Sequence, residues 1–139
     1  MKRCSRGTAL MEFALAWPIV LLLVLGAVQI ALWEGEVTSA HDAALAGARA
    51  GTVAGGGVDV AARVALRAMS TSLVGIGVSE WCPRDARPMP RGAWVCATDL
   101  GSSLEVDVGG WAPALVPVFP ASSLPLRAHV VLGKERFVR

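Results

Sequence analysis

The run from Phe13 to Trp33 contains no charged residue, and Ile19-Val20-Leu21-Leu22-Leu23-Val24-Leu25 lies at its centre. As a helix, these roughly 21 residues span about 30 Å at about 1.5 Å per residue, the thickness of a bilayer's hydrocarbon core. One crossing takes a good part of a 139-residue chain out of any soluble core and leaves room for one modest domain. A hydrophobic content of 54% against 17% charged residues is apolar for a soluble domain and fits a chain that a bilayer holds in part.

Charge is distributed in the same sense. Lys2, Arg3 and Arg6 precede the apolar run with no acid among them, and beyond Glu34 basic and acidic residues nearly cancel. The positive-inside rule keeps such a basic leader in the cytoplasm and sends the remainder to the periplasm or the cell exterior. The net charge of +2 therefore reflects topology, and no nucleic-acid partner is expected. A cleaved secretory signal also has a basic start, but its apolar region is typically about 7 to 15 residues and ends in a small-residue cut site. Here the run is longer and ends in Leu32-Trp33-Glu34. Trp17 and Trp33 stand toward its two ends, as interfacial anchors or as packing residues.

Residues 7 to 13 read Gly-Thr-Ala-Leu-Met-Glu-Phe, with a basic tail before them and the apolar run after. This arrangement resembles a prepilin peptidase site. The resemblance implies a cut after Gly7 on the cytoplasmic side, with Thr8 as the new N-terminus and Glu12 as the fifth residue of the mature chain. Glycine leaves the backbone open to a protease, and a cut there keeps the apolar helix on the product. A carboxylate at the edge of the hydrocarbon costs on the order of 2.5 kcal/mol unless it is paired. Glu12 thus either finds a partner or snorkels into the headgroups. By the resemblance, that partner is the Thr8 amine of a neighbouring subunit. Pro18 favours a kink of the kind membrane helices tolerate, or is a neutral passenger.

Arg6-Gly7-Thr8-Ala9, Met11-Glu12-Phe13-Ala14-Leu15, Pro18 and the Leu-rich stretch look like the N-terminal signature of TadE-like proteins. Ala43-Ala44-Leu45-Ala46-Gly47-Ala48-Arg49-Ala50-Gly51 is similar to an Ala-Arg-Glu-Gly-Ala-Arg-Ala pattern of that family, with Ala46 where a glutamate is usual. More loosely, Leu126 to Leu132 with Lys134-Glu135-Arg136 is similar to its closing strand and charged tail. The resemblance implies a minor pilin, or pseudopilin, of Tad/Flp pilus assembly with a pilin-like fold, Glu12 and Phe13 serving recognition and assembly. The partners so implied are a prepilin peptidase, other pilin-like or TadE/TadF-like subunits, an inner-membrane assembly platform and the lipid bilayer.

Past Trp33 the helix is expected to continue, because Ala40, Ala44 and Ala48, and likewise Ala43, Gly47 and Gly51, recur every four residues. Small residues at that spacing form a close-contact face, or reflect the helix propensity of alanine. Gly55-Gly56-Gly57 interrupts the pattern, and a second helix from about Val58 to Leu73 carries Asp59, Arg63 and Arg67 on one solvated face. The period then becomes two in Val74-Ile76-Val78, Leu104-Val106-Val108 and Leu126-Ala128-Val130-Leu132, which predicts strands. Trp94 to Thr98 is a further strand, joined to the Leu104 strand by a hairpin turn at Asp99-Leu100-Gly101-Ser102. Trp111 to Pro120, broken by Pro113, Pro117 and Pro120, is expected to cover the sheet edge or meet a partner and not to form a central strand.

The fold class that follows is α+β: a long N-terminal transmembrane helix continuing outside the membrane, a second short helix and a small antiparallel sheet. The expected division is a leader at 1–7, the helix at 8–54 with its span at about 13–33, and an exported domain at 55–139. Cys82 and Cys96 flank a proline-containing loop in an oxidising compartment, where a disulfide is favoured over a metal site lacking further ligands. Closing that loop contributes about 3 kcal/mol. Cys4 stays in the leader and is incidental. His41 and His129 are the only histidines, and His41-Asp42 sits in an Ala-rich helix without a nearby nucleophile or phosphate loop, so no enzyme, cofactor or resident metal is expected. The competing expectations are an uncleaved signal-anchor scaffold and a periplasmic binding module using Trp81, Trp94 and Trp111, although clustered tryptophans are more often core.

Overall fold

The computed structural model describes residues 5–73, 76–84, 86–114 and 123–134, with side chains from Met11 onward. Helix α1 runs from Ser5 to Thr52, with Pro18 inside it. The expected leader therefore overlaps its first turn, while Lys2, Arg3 and Cys4 lie outside the described residues. Helix α2 spans Val58–Ser72, after the triple glycine has turned the chain back on α1. Asp59, Arg63 and Arg67 are exposed, as the charge spacing predicts.

The small-residue stripe decides how the two helices meet. Ala40, Ala43, Ala44 and Ala48 of α1 and Ala61 and Ala65 of α2 are buried. A Cβ added at Gly47 would stand 2.7 Å from the Ala61 carbonyl oxygen and 2.8 Å from the Ala65 Cβ. With no side chain there, the backbones approach closely. The face left open between contact and propensity is thus a contact face, and its partner lies within the same chain.

Four strands complete the fold: β1 (Val78–Glu80), β2 (Ala93–Asp99), β3 (Ser103–Pro113) and β4 (Ser123–Gly133), in the order β1-β2-β3-β4. Helix α1 lies over β3 and β4, and α2 over β2 and β1. Period-two alternation places Leu104, Val106 and Val108 of β3 and Leu126, Ala128 and Val130 of β4 in the core beside Met69. Glu105, Asp107, Arg127 and His129 are left on the opposite face. At the hairpin between β2 and β3, Leu100 N–H donates to Ser103 O at 2.9 Å and Gly101 N–H to Asp99 Oδ1 at 2.7 Å. Gly101 has φ of 84°, a turn conformation that costs glycine little.

Three expectations are corrected. The sheet is mixed, because β1 runs parallel to β2 while the other pairs are antiparallel. The alternation at Val74-Ile76-Val78 yields a strand only from Val78; Ile76 precedes it and Val74 lies outside the described residues. Trp111 to Pro113 belong to β3, an interior strand, and pair with Pro125 to Ser123 of β4. The paired register with β2 ends at Gly109. Beyond that point β3 has β4 alone as a ladder partner, which is where a proline without an N–H is tolerated. Residues 115–120 of the proline-broken stretch lie outside the described residues.

Candidate functional site

Two clusters stand on the sheet face away from the helices. Cys82 and Cys96 form the expected disulfide, with Cα atoms 4.8 Å apart. Beside it Trp81 and Trp94 pack edge to face at 5.2 Å, and the Trp81 indole N–H donates to Arg87 O at 2.9 Å. Trp94 is buried, whereas Trp111 is 45% exposed; two of the three tryptophans considered for a binding module thus pack against each other. The second cluster is a cross-strand pair. Asp107 is directly opposite His129, and His129 Nδ1 lies 2.7 Å from Asp107 Oδ1 and 3.5 Å from Glu105 Oε1. The hydrogen bond to Asp107 raises the His129 pKa above its usual value, with Glu105 adding to it. One ligand atom from each of the three lies within 4.8 Å of the others, so they could chelate a cation, though ion pairing alone accounts for their approach.

The residues singled out for processing and assembly lie at the other end of the molecule. The backbones of Arg6, Gly7 and Thr8 are in the first turns of α1. Glu12 is one turn beyond Thr8, so the two share a helix face. It is exposed. Phe13, 63% exposed, stacks on Trp17 with ring centroids 5.8 Å apart. That i, i+4 pair was available from spacing alone. From Met11 to Leu32 the large apolar side chains of α1 are exposed, Leu15 at 75% and Leu23 at 69% among them. An 18-residue window of this helix reaches a mean hydropathy of 2.4 with 6% of it buried. The helix is long and apolar enough to cross a membrane.

A family model described as "TadE-like protein" matches residues 7–49. These residues, less than half of the chain, are similar to that family. No curated protein and no solved structure matches the chain. The TadE-like stretch begins at Gly7 and takes in Glu12, Phe13, the charge-free run and most of the small-residue face, up to Arg49. Helix α2 and the sheet lie beyond it.

Within the TadE-like stretch the helix changes neighbours at Trp33. Its indole N–H donates to Pro125 O at 3.1 Å, fastening α1 to the start of β4. Gln29, one turn earlier, is 3% exposed between Val28 and Ile30 at 49% and 53%. Just past Trp33, burial raises the pKa of Glu36. Sequence reasoning read Trp33 as an anchor or a packing residue and had no signal for Pro125, which is 92 residues away. His41 is exposed on α1.

Proposed function

We propose that the chain is a single-pass minor pilin, or pseudopilin, that serves assembly of Tad/Flp-type pili and acts structurally, without catalysis. Prepilin peptidase cuts it between Gly7 and Thr8 on the cytoplasmic face, where the basic leader is retained. The mature helix stays in the inner membrane with the sheet domain outside. From there it packs against other pilin-like subunits at the assembly platform. Glu12 meets the Thr8 amine of a neighbouring copy or related subunit, so that two charges in an apolar setting neutralise each other.

The observation that carries this reading is the coincidence, inside the TadE-like match, of Gly7 and Glu12 with the start of a helix whose apolar side chains the folded domain leaves bare. A helix of that kind needs lipid or other helices around it. The test is the N-terminal sequence of the protein recovered from membranes of cells that also express a prepilin peptidase. A start at Thr8 supports the reading. An intact Met1 beside a peptidase that cuts its other substrates rejects it in favour of an uncleaved signal-anchor scaffold. Glu12→Ala should leave that cut unchanged while reducing recovery of the protein with assembled fibres, and undiminished fibres would remove Glu12 from the mechanism.

A further inference from the structure

Trp33 is the last residue of the charge-free run, and its indole is bonded to Pro125 O. Pro125 is in turn the register partner of Trp111. One end of the sheet, Trp111 to Pro113 with Ser123 to Pro125, is therefore fixed beside the point where α1 leaves the hydrocarbon. Gln29, one turn before Trp33, is itself buried among exposed apolar neighbours.

The surface at this end has its own chemistry. Trp111 is 45% and Met89 54% exposed. They share an open trough of about 710 Å³ with Pro113 and Arg91, and an adjoining depression places Arg127 beside the same two residues. No carboxylate occurs among the described residues lining either one. Tryptophan partitions to the headgroup level of a bilayer, where its ring is buried and its N–H remains wet. Arginine binds phosphate oxygens through a planar fork of donors.

We propose that this end of the sheet is a second membrane contact: Trp111 and Met89 seat in the phospholipid headgroup layer of the leaflet from which α1 emerges, and Arg91 and Arg127 bind lipid phosphates. The inference rests on the reading that α1 spans a bilayer. It makes the domain a body held at two points, by α1 and by its own lower rim, with one preferred face turned to the membrane. Pulling the helix out of the bilayer then also requires lifting Trp111 from the headgroups.

The test uses the full chain in vesicles of phosphatidylethanolamine and phosphatidylglycerol containing lipids brominated on the upper acyl carbons. Tryptophan emission is compared between the wild type, Trp111→Phe and Trp33→Phe, so that each difference spectrum isolates one indole. The expected result is a Trp111 component quenched by brominated lipid to an extent similar to the Trp33 component, and shielded from aqueous iodide. Arg91→Glu combined with Arg127→Glu should lessen quenching of Trp111 while leaving that of Trp33 unchanged. A Trp33 component quenched by lipid beside a Trp111 component open to iodide overturns the proposal. So does a Trp111 component resistant to both quenchers, which assigns this surface to a second copy of the chain. If the Trp33 component itself escapes lipid quenching, the spanning reading fails, and this inference with it.

Discussion

The two halves of α1 are made from similar materials and placed in opposite surroundings. From Met11 to Leu32 the helix is rich in Leu, Val and Ile, and those side chains are exposed. From Ala40 to Thr52 it is rich in Ala and Gly, and its buried face carries α2 and the sheet. Large residues fill space at a distance and suit a fluid neighbour such as lipid, whereas small ones let a rigid backbone come close. The helix thus specifies two kinds of partner by side-chain size, with Trp33 near the change-over.

If the halves are independent, damage to the folded domain should stop near Trp33. The largest effect is expected from removing the disulfide. Cys82→Ser with Cys96→Ser opens a loop with sequence separation 14 and should cost the domain about 3 kcal/mol. Hydrogen exchange in micelles would then speed up across residues 40–52 while residues 13–30 keep their protection. Equal loss in both segments would show that the helix is a single cooperative unit.

A matched pair of glycines tests the comparison more directly. Gly47→Leu drives a side chain into the α2 backbone at Ala61 and should destabilise the domain by about 1–3 kcal/mol, because backbone cannot step aside as a flexible side chain can. Gly26 has nothing within 4 Å of where its Cβ would be. Gly26→Leu should leave the domain's unfolding free energy, measured by urea denaturation, within about 0.5 kcal/mol of the parent. Similar shifts in both variants would refute the division of labour along α1.

What the sequence made legible follows from the range of each interaction. The apolar run, α2 with its solvated charges, and the turn at Asp99 to Ser102 depend on neighbours a few residues away, and each is where periodicity and turn chemistry predict it. The parallel pairing of β1 was not legible, because a three-residue strand shows no alternation and its partner lies across the Trp81 to Gly92 connection. Nor was the membership of Trp111 to Pro113 in β3: proline content argued against a central strand, and only the register shows that β3 outruns β2 at this end. The processing signal proposed at Gly7, Glu12 and the basic leader is local in the same sense. A processing enzyme would meet them as a short local pattern, whereas the Trp33 contact with Pro125 exists only once the sheet has docked.

That contact supplies a smaller test at the boundary. Trp33→Phe keeps the ring and removes the donor to Pro125 O, and should cost about 1 kcal/mol of domain stability. Loosening should be confined to β4 near Pro125 and the facing turn of α1. Unchanged exchange rates at those positions would mean that packing alone holds the junction.

The smallest effect is expected on the sheet face farthest from α1. His129 has a pKa raised above its usual value by the hydrogen bond to Asp107, with Glu105 adding to it. A group whose folded pKa is raised contributes stability that is fully present below its unfolded value, about 6.5 for histidine, and is lost as pH rises through the folded value. The domain should therefore be slightly less stable on the alkaline side of that window, by under about 1 kcal/mol, because His129 is largely solvated and a surface pair is screened. Asp107→Asn should flatten the dependence by removing the main cause of the shift. Because alternate residues of β4 face opposite ways, the titration should move the melting temperature of the domain without altering Trp33 fluorescence at the junction. A Trp33 signal that titrated along with the melt, and stopped doing so in Asp107→Asn, would show that strain crosses the sheet into α1, and the separation of the two halves would have to be given up.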